Sequence, residues 1–334
     1  MRATARPRCH VCGSPGEPLY RDLSDSMFSA AGSWSISRCS NGDCGLLWLD
    51  PMPLAEDLPA AYESYYTHGE PAKTGMYRAG KLLYGLLAGC ILWPAGIPLD
   101  RRRAELMFLG GSRPGALLDV GCGDGTFLAR MRRRGWTVTG LDFDPIAAKA
   151  ARDRHGLEVH VGTIEEAFAG RKALYDVVTA SHVIEHVPEP IRFLEQCRSL
   201  LRPGGRLVLK TPNASSYGAR RYGAAWRGLE PPRHLHIFTG PALISCARKA
   251  GFAVATCFTS AAGADGILEA SRGIARRGSF REPALPLAEK IEIRLARPFL
   301  ALTAKLAWLR DGNCGEELCA ILVNSAAQAG HEQV

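Results

Sequence analysis

Ala116-Leu117-Leu118-Asp119-Val120-Gly121-Cys122-Gly123-Asp124-Gly125 is the stretch that decides the fold. A short apolar run with one acid near its end reads as a buried strand. The glycines that follow permit a sharp turn and let backbone N–H groups approach a ligand. Thr126 to Arg134 continues with helical character. Strand, glycine turn and helix together predict a ligand-facing loop at the carboxyl edge of a parallel sheet.

The same alternation runs outward from this unit. Thr137 to Asp142 predicts a second strand, and Pro145 opens a helix to about His155, since proline suits a first helical turn. Val159 to Gly162, Tyr175 to Ala180 and Arg206 to Thr211 predict three further strands. Ile191 to Leu201 reads as a helix stopped by Pro203-Gly204-Gly205. The fold class is therefore α/β, a doubly wound Rossmann-like sheet.

Two details separate the glycine loop from a dinucleotide site. Position 126 is Thr where a third glycine is needed, and Asp119 would lie unfavourably near a pyrophosphate but favourably near an ammonium or sulfonium. Asp142 ends the second strand, 19 residues after Gly123, where a carboxylate can accept both hydroxyls of a ribose. A nucleoside with a cationic amino-acid tail meets both demands, which describes S-adenosylmethionine.

Leu117 to Gly125 resembles the first motif of the class I S-adenosylmethionine-dependent methyltransferases, and Leu141-Asp142-Phe143-Asp144-Pro145 the second. Tyr175 to Val178, Val183 to Val187 and Leu201 to Leu207 resemble the remaining motifs in order. The resemblance spans roughly 106–260 plus a last strand, Glu317 to Asn324, expected to run antiparallel beside Phe252 to Ser260 as the seventh strand. It implies that Asp119, Gly121, Cys122 and Gly123 hold the methionine end and Asp142 the ribose. Phe143 is then expected beside the adenine and Thr163 and Ile164 at its edge, with Ser181 and His182 near the sulfonium.

A sulfonium is already a strong electrophile, so the protein mainly aligns a nucleophile and removes its proton. His182, Glu185 and His186 are the candidate catalytic residues. If Ser181 to Val187 begins helically, His182 and His186 share a face and Glu185 neighbours His182. A His base oriented by a carboxylate is one reading. A divalent metal on Glu185 and His186, as in some quinone O-methyltransferase relatives, is another, and packing and capping of the segment is a third. Arg233 to Thr239 resembles the stretch that enters the next helix in small-molecule methyltransferases, with Thr239 as N-cap. Tyr217, His234 and His236 are the candidate acceptor-facing residues.

The chain holds 11 cysteines among 334 residues. An odd count in so long a chain excludes a small disulfide scaffold and favours a reducing compartment. Cys9, Cys12, Cys39 and Cys44 are spaced as a tetrahedral structural zinc site, with His10 a substitute ligand. A similar ribbon, followed by Gly-Leu, an apolar strand, Pro-x-Pro and a Tyr-rich helix (here Tyr62 to Tyr66), precedes the core in sugar- and metabolite-tailoring methyltransferases. The other seven cysteines, Cys122 among them, read as packing residues.

The expected domains are a zinc ribbon at 1–50, a helical connector or lid at 51–105, and a methyltransferase domain at 106–330 with insertions at 212–240 and 261–312. Leu82 to Leu99 carries no charge but is broken by prolines and glycines, so a covering helix or interfacial segment suits it better than a membrane span. Phe299, Leu302, Leu306 and Leu309 fall at helical spacing and are expected to dock onto the core. Peripheral membrane contact through 82–99 or 286–310 is a further expectation.

A hydrophobic share of 46% excludes a mainly disordered chain, and a net charge of +8 permits an acidic partner without demanding one. No apolar run follows the basic N-terminus, so no signal peptide is expected, and the expected location is cytoplasmic, with membrane association as an option. The favoured function is methylation of oxygen or carbon on a small molecule such as a sugar, polysaccharide precursor or secondary metabolite. An RNA methyltransferase and a non-catalytic S-adenosylmethionine-binding scaffold are the alternatives. Ala180-Ser181-His182-Val183 lacks the Pro-Pro-aromatic pattern used on base nitrogens, which counts against nucleic acid.

Overall fold

A computed structural model describes residues 1–62, 88–280 and 287–325. Five short strands open the chain: β1 (Ala3–Thr4), β2 (Gly16–Leu23), β3 (Trp34–Cys39), β4 (Leu47–Leu49) and β5 (Met52–Pro53). Then follow β6 (Ala116–Val120), β7 (Thr137–Asp142), β8 (Val159–Val161), β9 (Tyr175–Ser181) and β10 (Leu201–Pro212). The last three are β11 (His236–Ile237), β12 (Ala253–Ser260) and β13 (Glu317–Val323).

Seven strands build the central sheet in the order β12-β13-β10-β9-β6-β7-β8. β6 to β10 pair in parallel, while β13 runs antiparallel between β10 and β12. Leu117, Leu118, Val177, Val178, Leu207 and Leu209 are almost fully buried, as strands covered on both faces require. The expected α/β fold and its antiparallel last strand are thus present.

The helix Pro145–His155 begins where Asp144 accepts the N–H of Ile146 and ends at Gly156 in the left-handed region. The helix Pro190–Leu200 ends close to the expected stop, and Pro203-Gly204-Gly205 belongs to the strand that follows. These three residues sit in an irregularity within β10, between Leu201 and Arg206, and the Gly204 N–H donates to the Asn324 carbonyl. A glycine at positive φ bends the strand there without ending it.

The N-terminal strands form a second sheet in the order β11-β4-β3-β2. Its β11 comes from the segment after the fifth parallel strand, with His236 opposite Trp48 and Ile237 opposite Leu47. Residues on either side of position 50 therefore share this sheet.

Residues 88–92 are helical and a helix runs from Ile97 to Glu105; 82–87, with the rest of the Tyr-rich segment after Tyr62, lie outside the described residues. Among the described residues no helix is long and apolar enough to cross a membrane. The late insertion forms helices Ala264–Arg277 and Leu287–Arg310. Here the expected docking of Phe299, Leu306 and Leu309 fails, for all three are exposed. Ala301 and Ala304 face inward instead, because small side chains let the helices approach closely.

Candidate active site

The carboxyl ends of β6, β7 and β9 bring the sequence motifs together. Gly121, Gly123 and Gly125 all adopt positive φ. A Cβ on Gly121 would come within 2.5 Å of Val183, so only glycine fits, whereas Gly123 borders open space. The loop's N–H groups are already engaged: Gly121 and Cys122 donate to the Leu141 carbonyl and Gly123 donates to Asp142 at 2.7 Å. This corrects the expectation that these N–H groups reach for ligand. The loop supplies shape, and the side chains around it supply charge. The Cys122 thiol is buried behind the loop, against Gly140.

Asp142 also accepts the Asp144 N–H at 2.9 Å, so both its oxygens are oriented by backbone. Asp119 is buried and accepts the Thr179 hydroxyl at 2.6 Å. Burial pushes the Asp119 carboxyl up to about 7, partly offset by that hydrogen bond. Phe143 stands 59% exposed beside this pair, its ring edge-on to Tyr62. The Thr163 hydroxyl and Glu166 form a capping box at the start of the helix Ile164–Phe168, and Ile164 is buried.

The segment after β9 departs from the expected helix. His182 has φ 56°, and a 3₁₀ turn begins only at Ile184. His182 and His186 consequently do not share a helical face. His182 Nδ1 does meet Glu185, at 3.1 Å, and its Nε2 meets Glu317 at 3.2 Å. Glu185 is fully buried and also accepts the Thr211 hydroxyl. Lys210 lies 3.1 Å from Glu317. Burial disfavours charge on His182, but the two carboxylates outweigh it and hold the ring at about 9.

His186 Nδ1 lies 3.0 Å from the Arg233 carbonyl, which can only accept, so Nδ1 carries the proton. The Tyr62 hydroxyl lies 3.1 Å from the same nitrogen. His234 donates from Nδ1 to the Gly228 carbonyl, and its ring stands 4.8 Å from that of His186. Ligand atoms of Glu185, His186 and His234 all lie within 4.8 Å of one another. His182 touches this group through Glu185 and is not itself one of the three.

His236 is fully buried, donates to the Pro188 carbonyl and packs on His10 at 4.7 Å. It faces the N-terminal sheet and not the space over Gly123, and His10 is not in the cysteine cluster. Burial lowers His234 to about 4 and His236 to about 3, so both are neutral. Tyr217 packs under the late insertion with Ala264, Leu268 and Ala304.

At the other end of the second sheet, the sulfurs of Cys9, Cys12, Cys39 and Cys44 lie within 4.8 Å of one another. Cys9 and Cys44 are 3.7 Å apart and Cys12 and Cys39 3.3 Å. Four thiolates bound at ~2.3 Å around a tetrahedral zinc stand ~3.8 Å apart, so the donor set fits that ion.

Residues 99–256 match the family described as a methyltransferase domain. The chain is similar to the ubiquinone biosynthesis O-methyltransferase of Xanthomonas oryzae pv. oryzae (strain PXO99A), 37% identical over 138 residues covering 39% of this chain and 56% of that protein. It is also similar to the protein of that name from Xanthomonas campestris pv. campestris (strain B100), 42% identical over 107 residues covering 30% and 44%. The chain thus spans about half the length of the curated relatives it matches. Among solved structures, a SAM dependent methyltransferase from Archaeoglobus fulgidus is similar with a TM-score of 0.45 and 19% identity, over 68% of this chain and 94% of that one.

Proposed function

We propose that this chain, whose residues 99–256 belong to the class I S-adenosylmethionine-dependent methyltransferases, methylates an oxygen of a small-molecule acceptor. The observation that carries the reading is the pair of buried carboxylates, Asp119 and Asp142, at adjacent strand ends beside the open space over Gly123. S-adenosylmethionine would supply an activated methyl group. Asp142 would accept the ribose hydroxyls and Phe143 would cover the adenine, with Thr163 and Ile164 at its edge. Asp119 would lie opposite the ammonium end, where a cation favours its ionised form.

In the transfer, the sulfur–methyl bond breaks as the oxygen–methyl bond forms, and the acceptor's proton must leave. His182 is the proposed acceptor of that proton, with Glu185 fixing its Nδ1; the ring, held protonated while Glu185 and Glu317 both face it, must first give up its Nε2 proton as Glu317 leaves. Its Nε2 is engaged by Glu317 in this arrangement. The acceptor hydroxyl would therefore take the place of Glu317 at that nitrogen, and Lys210 would keep the displaced carboxylate paired.

The closeness of Glu185, His186 and His234 favours one second reading, a divalent metal that helps orient the acceptor. It would use His234 and not His182. Metal analysis and activity after chelation distinguish the two readings.

At the front, Cys9, Cys12, Cys39 and Cys44 would hold a structural zinc, and residues 1–50 and 106–330 are proposed as ribbon and methyltransferase domain with 51–105 connecting them. The test of the function is incubation with methyl-labelled S-adenosylmethionine and panels of phenols, hydroxylated ring precursors and nucleotide sugars. Label in an ether-linked product supports the reading. Label on carbon, or in RNA supplied in its place, would overturn it.

A further inference from the structure

Seven of the large apolar side chains exposed at the surface belong to two neighbouring segments: Trp93 and Leu99 in the turn and helix at 93–105, and Ile291, Leu295, Phe299, Leu306 and Leu309 on the helix Leu287–Arg310. The five on the helix Leu287–Arg310 recur at steps of three, four and seven, which places them on one face. The two elements are joined. Ala301 packs among Ala88, Leu92 and Ile97, and Lys305 reaches Asp100 at 2.6 Å. The protein's interior takes the alanine face of the helix and leaves the large residues outside.

Among the described residues, basic side chains outnumber the carboxylates around this face. Carboxylates nearby are each met by a basic side chain of the protein: Glu292 by Arg272 and Arg276, Asp265 by Arg101 and Arg297, Asp311 by Arg220 and Glu105 by Arg130. Arg102, Arg103 and Arg310 are exposed on the same two helices. An apolar stripe with a cationic margin matches an anionic lipid surface, where arginines reach the headgroups while the stripe enters the acyl boundary. A second copy of the chain would instead set like charges against each other.

We propose that this face docks peripherally on an anionic membrane surface. Trp93 and Phe299 act as aromatic anchors at the headgroup level, and the helix lies in the plane of the surface.

Vesicle flotation with the full chain tests this. Phosphatidylcholine vesicles containing a minority of phosphatidylglycerol should bind the protein, pure phosphatidylcholine should bind it less, and added salt should weaken the binding. Phe299→Glu with Leu309→Glu should abolish flotation while leaving the far-ultraviolet dichroism and melting profile in place, as both side chains are exposed. Arg102→Gln and Arg310→Gln should each lower partitioning to the anionic vesicles about fivefold. Failure of the wild-type chain to float, or equal flotation of the charge-introduced variant, would overturn the proposal. So would light scattering that reveals a dimer dissolved by Phe299→Glu in a chain that does not float.

Discussion

Arg233 donates two hydrogen bonds to Asp25, at 2.7 and 2.9 Å, with neither side chain exposed to solvent. The pair joins the loop between β2 and β3 to the segment that carries His234. Arg233 also meets Glu230 at 3.1 Å, donates to the Ala61 carbonyl and lies over the Phe28 ring. Two residues on, Leu235 donates to the Glu185 carbonyl and accepts from the Leu49 N–H. The N-terminal sheet thereby forms part of the frame behind the candidate site.

Breaking this pair should be costly. Arg233→Ala leaves Asp25 charged and buried, and should lower stability by about 3–5 kcal/mol in urea unfolding. Removing both partners should cost less than the sum of the single changes. A single-variant loss below about 1 kcal/mol would mean that water reaches Asp25.

The ribbon prediction concerns metal. Purified protein should carry zinc in stoichiometric amount, and Cys39→Ser with Cys44→Ser should remove it. Because Thr239 donates to the Cys44 carbonyl and β4 pairs with β11, metal loss should also raise hydrogen exchange at 234–239. Unchanged exchange there would show that the ribbon stands apart from the site.

The pH dependence of cofactor affinity follows from Asp119, held at about 7 by burial. Below that pH the carboxyl is protonated and meets a cationic ligand poorly; above it the carboxylate is present. Affinity for S-adenosylmethionine should therefore rise with pH through about 7, with proton release visible as buffer-dependent binding heat. Thr179→Val should move the midpoint upward, since the hydroxyl stabilises the ionised form. An affinity flat from pH 5 to 8 would refute this role for Asp119.

His182→Ala should lower turnover by roughly 10²–10⁴ while sparing cofactor affinity. Glu317→Gln should change the acceptor KM more than cofactor binding, because Glu317 stands where the acceptor hydroxyl is proposed to enter. Full activity of His182→Ala would remove it from the reaction.

Much of this was legible along the chain. The βα alternation and the glycine turn follow from local pattern, since buried parallel strands read as short apolar runs between helical stretches, while the Thr239 cap and the antiparallel last strand follow from the family resemblance. Contacts between distant segments did not show. Glu317 meets His182 across 135 positions because β13 starts at the site end of the sheet, with Glu317 opposite Pro212. The predicted direction of that strand was the signal that could have placed it. The inward face of the helix Leu287–Arg310 differs from the expected one because periodicity marks an apolar face without telling what covers it. The burial of His236 depends on β4, a strand nearly 190 residues earlier in the chain, and no spacing rule relates the two.

The most direct measurement is calorimetric titration of S-adenosylmethionine into the wild-type chain and Asp142→Ala. Saturable one-to-one binding to the wild type is expected, weakened at least about tenfold in the variant by loss of the charged acceptor for the ribose hydroxyls. Absence of binding to the wild type, or equal affinity in the two proteins, would contradict the assignment of this site.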